Sequence, residues 1–142
     1  MDGRVNFWSL GNLRDPAESV QVGESVSCLG VAPESDTLVC GDEMGNMYAI
    51  QASQSGQRSK RQVRKLDPGI EGHFGMITAL STKSLKASAR AGLSKGFLRG
   101  SGGIILTAGV DWTVKMWAPA YTEKPLLSLV SHSYDYMSDV KW

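Results

Sequence analysis

One stretch constrains this chain more than any other: Asp111-Trp112-Thr113-Val114-Lys115-Met116-Trp117, taken together with Gly72-His73 upstream. An Asp six residues ahead of a Trp puts a tight turn before a strand that carries Val114, Met116 and Trp117; side chains along such a strand alternate in direction. The His73 imidazole can bridge the Asp111 carboxylate and the Thr107 hydroxyl, with the Trp117 indole N–H as a further donor. A polar set of this kind is stable inside a protein when few of its members are left unpaired. The spacing recurs at the start of the chain, where Asp2 precedes Trp8 by the same interval.

A Gly-His pair, a strand and then this Asp-to-Trp spacing is the signature of a WD repeat, one four-stranded blade of a β-propeller. The expected fold is therefore all-β: a partial WD40 propeller of about two complete blades plus parts of two more. Residues 1–18 read as the end of a blade, 19–66 as a degenerate blade with a basic loop at 54–64, and 67–130 as a WD blade with a basic Ser/Gly-rich insertion at 83–103. Residues 131–142, from His132 through Tyr136 to Trp142, read as the first strand of the next blade. Further strands are expected at Ser19–Gln21, Val26–Val31, Thr37–Cys40, Met47–Ala52 and Lys124–Leu129.

In the degenerate blade Met44 takes the Asp position and Ile50 the Trp position, so apolar packing alone is expected to hold it. Met44 follows Asp2 by 42 residues, inside the ~40–45 of a WD repeat, but Asp111 follows Met44 by 67. The surplus lies in the two basic stretches, whose composition suits solvated loops. A closed propeller takes about 4–8 blades, so this length of chain corresponds to part of a ring. With few repeats stacked, marginal folding is expected of the chain alone. Whether Met1 is a true start is left open by the sequence.

Charge is uneven along the chain. The formal net charge is +1, yet residues 54–100 hold ten of the fifteen Lys and Arg and only Asp67 and Glu71 among the acids. Blade topology sends both basic stretches to one face, which makes Arg58, Lys60, Arg61, Lys83, Lys86 and Arg90 candidate partner-binding residues. Only Phe74 and Phe97 accompany them as aromatics, so stacking platforms for nucleic acid are scarce and nucleic-acid binding is not favoured. Trp112, beside the turn Asp, is expected to point outward on the opposite face as a binding anchor, with packing on the adjacent blade as the alternative. Cys28 and Cys40 read as buried free thiols of a reducing compartment.

No apolar run approaches a membrane span, and no residue cluster suggests a metal, a cofactor or a small-molecule substrate. His73, Asp111 and Thr107 could be drawn as base, orienter and nucleophile of a hydrolase. A structural tetrad of His73, Thr107, Asp111 and Trp117 accounts for the same residues where a WD blade needs them. The class expected is an interaction protein and not an enzyme.

A closer likeness is carried by Glu71-Gly72-His73-Phe74-Gly75-Met76-Ile77-Thr78, Asp111 to Trp117, Lys124-Pro125-Leu126, Tyr134-Asp135-Tyr136 and Asp139-Val140-Lys141-Trp142. These resemble the dynein intermediate chains, the cytoplasmic form more than the axonemal; the likeness is sharp over 71–142 and loose over 1–53. The resemblance implies a non-catalytic subunit of a cytoplasmic, microtubule-associated motor, whose propeller docks on the dynein heavy chain and supports cargo transport. Contacts to other dynein subunits would run through regions not present in this chain. The alternative is a WD-repeat scaffold of another multiprotein assembly.

Overall fold

The computed structural model describes residues 2–32, 36–52, 60–66, 69–84, 103–118, 124–131 and 138–141. The strands among them are β1 (Arg4–Phe7), β2 (Glu18–Gln21), β3 (Val26–Ala32), β4 (Thr37–Asp42), β5 (Met47–Gln51), β6 (Val63–Leu66), β7 (Ile77–Ser84), β8 (Gly103–Gly109), β9 (Thr113–Trp117) and β10 (Leu127–Val130), with a single 3-10 turn at Gly69–Glu71. They form a two-stranded sheet, β1-β2, and two four-stranded sheets, β3-β4-β5-β6 and β7-β8-β9-β10. All pairs are antiparallel. The chain is a partial β-propeller, with two four-stranded blades and the outer strands of a third.

Ladder register aligns the two blades residue by residue. Thr107 faces Lys115 and Ile105 faces Trp117; Cys40 faces Tyr48 and Leu38 faces Ile50. Both hairpins are therefore centred alike, one on Asp111 and the other on Met44. By the same register Cys40 stands where the other blade has Thr107, Tyr48 where it has Lys115, and Asp42 where it has Gly109.

The period of two along β4 and β5 divides the blade between two cores. Val39 and Met47 join Ala32, Leu66, Ile77, Ile105 and Trp117 in the layer between the two full blades, with Ala49 packed against it. Cys40, Tyr48 and Ile50 turn the other way and meet Val5, with Phe7, Val22, Val26 and Leu38 alongside. Strand β8 is covered on both sides and accordingly is apolar apart from Thr107. Strand β10, outermost in its blade, is exposed throughout.

The full blades meet along their inner strands, β3 and β7. Ser27 Oγ donates to the Ile77 carbonyl (2.5 Å) and Thr82 Oγ1 donates to the Val31 carbonyl. Glycine permits the closeness: a Cβ at Gly41 would lie 2.8 Å from the Ile77 Cβ, and one at Gly30 would lie 2.4 Å from Leu80 Cδ2.

Several boundaries differ from expectation. Residues 18–21 pair with β1, so the first unit extends past residue 18. Val63 and Arg64, placed in the basic loop, lie in β6, opposite Ile50 and Ala49. Lys83, Ser84 and Gly103, placed in the second insertion, are ladder residues of β7 and β8. The last strand begins at Leu127 and not Lys124, because Pro125 has no N–H to give a ladder; Leu126 N bonds to the Met116 carbonyl just before the strand starts. Ser138–Lys141 are not in a strand, since an inner strand draws its ladder from the next strand of its own blade. The rest of that expected strand, residues 132–137 and 142, lies outside the described residues.

Candidate functional site

The polar network sits at the end of β8 and β9, under the turn Val110–Thr113. His73 Nδ1 lies 3.0 Å from both Asp111 carboxylate oxygens, and its Nε2 lies 2.7 Å from Thr107 Oγ1. Trp117 Nε1 donates to the same Thr107 oxygen at 2.8 Å. Partner chemistry fixes the proton positions. The indole can only donate and the carboxylate accepts, so Nδ1–H gives to Asp111 while the Thr107 hydroxyl gives to Nε2 and accepts from Trp117.

Burial supports a neutral ring. It pushes the His73 pKa below the ordinary 6.5, more strongly than the Asp111 hydrogen bond raises it; Lys115 adds a smaller push in the same downward direction. For Asp111 burial acts upward, while the hydrogen bonds from Phe74 N, His73 and Thr113 and the electrostatic effect of His73 act downward, and the carboxyl stays below 3.8.

Two members of the site lie outside the four motif positions. Thr113 binds Asp111 Oδ1 through its hydroxyl (2.8 Å) and its backbone N–H (3.2 Å), and Phe74 N–H donates to Oδ2 at 3.0 Å. A hydroxyl residue two places after a turn Asp is the available signal for the first; a backbone donor leaves none. Gly109 holds the space open: a Cβ there would come 2.6 Å from His73 Nδ1 and 2.7 Å from Asp111 Oδ1.

The expectation that apolar packing alone holds the neighbouring blade is corrected. Asp42 is buried, 3% exposed, and its Oδ1 accepts from Met44 N (2.9 Å) and Asn46 N (2.8 Å). Its Oδ2 accepts from Asn46 Nδ2 (2.8 Å) and the Tyr48 hydroxyl (3.0 Å). A carboxylate at the Gly109 position, two residues ahead of the motif, thus closes the turn without His or Trp. Burial, then the Asp42 carboxylate, push the Tyr48 hydroxyl up to about 12. Cys40 and Cys28 are both free thiols. Burial drives Cys40 up to about 12 and also raises Cys28.

The residues expected to bind partners separate. Trp112 is 46% exposed at the turn tip, with φ +59°. Arg61 is turned inward: its side chain and its backbone N–H bond to the Glu18 carboxylate, its Nε donates to the Ala52 carbonyl, and its guanidinium lies 3.7 Å over the Phe7 ring. Phe7 and Glu18 lie beside the start of β6, where an Arg finds a stacking face and a carboxylate together. Lys60 and Lys83 are exposed, Lys60 in the link ahead of β6 and Lys83 near the end of β7. Arg58, Lys86 and Arg90 lie outside the described residues. Among the described residues no group of His, Cys, Asp and Glu could hold a metal ion, and no helix is long and apolar enough to cross a membrane.

Antiparallel four-stranded blades, stacked side by side and one of them pinned by a His–Asp–Thr–Trp network, define a WD-repeat β-propeller region. The chain is 34% identical over 148 aligned positions to the cytoplasmic dynein 1 intermediate chain of Drosophila melanogaster, an alignment covering 99% of this chain. It spans about a fifth of that relative's length (20%). The chain is thus a WD-repeat segment related to the cytoplasmic dynein intermediate chains, and the likeness extends through residues 1–53, where the motifs alone were loose. No protein-family model matches it.

Proposed function

We propose that this chain serves as part of the propeller of a cytoplasmic dynein intermediate chain. In that role it is a non-catalytic motor subunit that docks on the heavy-chain tail, supports cargo transport and resides in the cytoplasm on microtubule-associated complexes. The observation that carries the reading is the similarity along 99% of the chain to a protein of that name. The non-catalytic part rests on the network itself. Thr107 is 0% exposed, and its oxygen already accepts the Trp117 N–H while facing His73, so a nucleophile there is closed to substrate. The set works as a pin between strands.

Co-precipitation of the full chain with a dynein heavy-chain tail fragment tests the docking. Retention on the tail supports it, and recovery only in unrelated complexes points to a WD-repeat scaffold of another assembly. A hydrolase activity abolished by His73→Ala in a still-folded chain would overturn the non-catalytic reading.

A further inference from the structure

Three links lie together on the face that carries the Asp111 turn: the β4–β5 turn, the β6–β7 link and the β8–β9 turn. Gly45 sits against the link, since a Cβ there would meet the His73 carbonyl at 2.4 Å and that of Gly75 at 2.8 Å. Phe74 N–H is bound to Asp111, the neighbour of Trp112. The tips of these links are apolar and uncovered: Met44 is 71% exposed, Phe74 76%, Ile70 88% and Trp112 46%. Their surroundings are acidic. Glu43 and Glu71 stand exposed on the same links, and Glu24 is exposed on the adjoining segment, where Ser25 O accepts from Glu43 N. Residues 22–25, 42–46, 69–76 and 110–113 contain no Lys or Arg.

Trp112 is held in place at some cost. It adopts the left-handed region at φ +59°, which an L side chain disfavours and which Gly or Asn accepts. Its carbonyl is tied to Ser131 N at 2.7 Å. Backbone strain of this kind persists where surrounding contacts hold it and gathers at binding surfaces.

We propose that this face is a docking surface for a protein segment with apolar anchors flanked by Lys or Arg. Trp112, Phe74 and Met44 form the apolar floor, and Glu24, Glu43 and Glu71 supply the rim that selects a basic partner. Charge complementarity of this kind sets which partner is admitted, while desolvated aromatic anchors hold it. The same carboxylates repel nucleic acid and anionic lipid. The assignment does not depend on the motor-subunit reading and stands if the heavy-chain tail proves not to be the partner.

The test uses the full chain and two labelled synthetic peptides with identical Leu and Phe positions, one filled with Lys and Arg and the other with Glu. Fluorescence anisotropy should show the basic peptide binding at least ~10-fold tighter than the acidic one. The double variant Glu43→Lys/Glu71→Lys should reverse that order. Trp112→Asn should weaken the basic peptide by ~10-fold or more with the thermal midpoint kept; Phe74→Ser, on a side chain outside the core, gives the same readout should Trp112→Asn fail to fold. Equal binding of the two peptides, binding of neither, or a preference unmoved by the charge reversal would overturn the proposal.

Discussion

Replacing Thr107 by Val isolates what the buried hydroxyl does, because the two side chains have nearly the same shape and no cavity opens. The change strips a hydrogen-bond partner from His73 Nε2 and from Trp117 Nε1, and the side chains of both are fully buried. Each orphaned buried group costs about 1–3 kcal/mol, so the substitution should destabilise the chain by about 2–6 kcal/mol. Thr107→Ser keeps the hydroxyl and loses a methyl, about 1 kcal/mol. Cys40→Val, at the same register position of the other blade, removes only a weak 3.8 Å contact from Sγ to the Tyr48 carbonyl, and should cost under about 1.5 kcal/mol. Urea unfolding followed by circular dichroism reads the order. With a slope of ~2 kcal/mol per molar, Thr107→Val should lower the midpoint by about 1–3 M and Thr107→Ser by much less. Simple apolar burial predicts the reverse, Val tolerated better than Ser. A Thr107→Val chain as stable as Thr107→Ser would refute the argument from polar satisfaction.

Acidification should weaken the fold in two stages. Both His73 and Asp111 have folded pKa values below their ordinary 6.5 and 3.8, so each contributes stability that is present above its unfolded value and lost as pH falls toward the folded one. Stability should decline below pH 6.5, and His73→Gln should flatten that first decline; an unchanged slope in the variant would count against it. Arg61→Lys forfeits the paired contact to Glu18 and the stack on Phe7, about 1–2 kcal/mol, and hydrogen exchange should quicken in β1 and β2 while β8 stays protected. Gly109→Ala drives a Cβ into the His73–Asp111 pair and should cost about 3 kcal/mol or more by calorimetry. Cys40, fully buried with its thiol pushed up to about 12, should resist alkylation at neutral pH until the chain unfolds.

The motif positions were readable because each carries a residue type whose chemistry demands a partner at a set distance. Asp111, His73, Thr107 and Trp117 announce one another, and the placement of Met44 and Ile50 agrees with the ladder register. The Asp42 network was not readable. Its carboxylate does the same service from two residues earlier, through turn amides that any residue supplies. The position of Arg61 was hidden for a related reason: its basic neighbours suggest solvent, while Phe7 and Glu18, distant in sequence, decide where it goes. The outer strands were placed least well, since β6 and β10 have exposed faces and little apolar alternation to mark their ends.

Gly30 of β3 and Gly41 of β4, which lie against β7, have a geometric consequence for any larger ring. Sheets that touch closely at their inner edge and spread outward behave as wedges, and the wedge angle determines how many fit into a full circle. A methyl added at position 41 would prise the inner edge apart, narrow the angle and call for a wider circle with more members. Two hydrogen atoms in place of two side chains thus help to set the circumference of an assembly far larger than themselves.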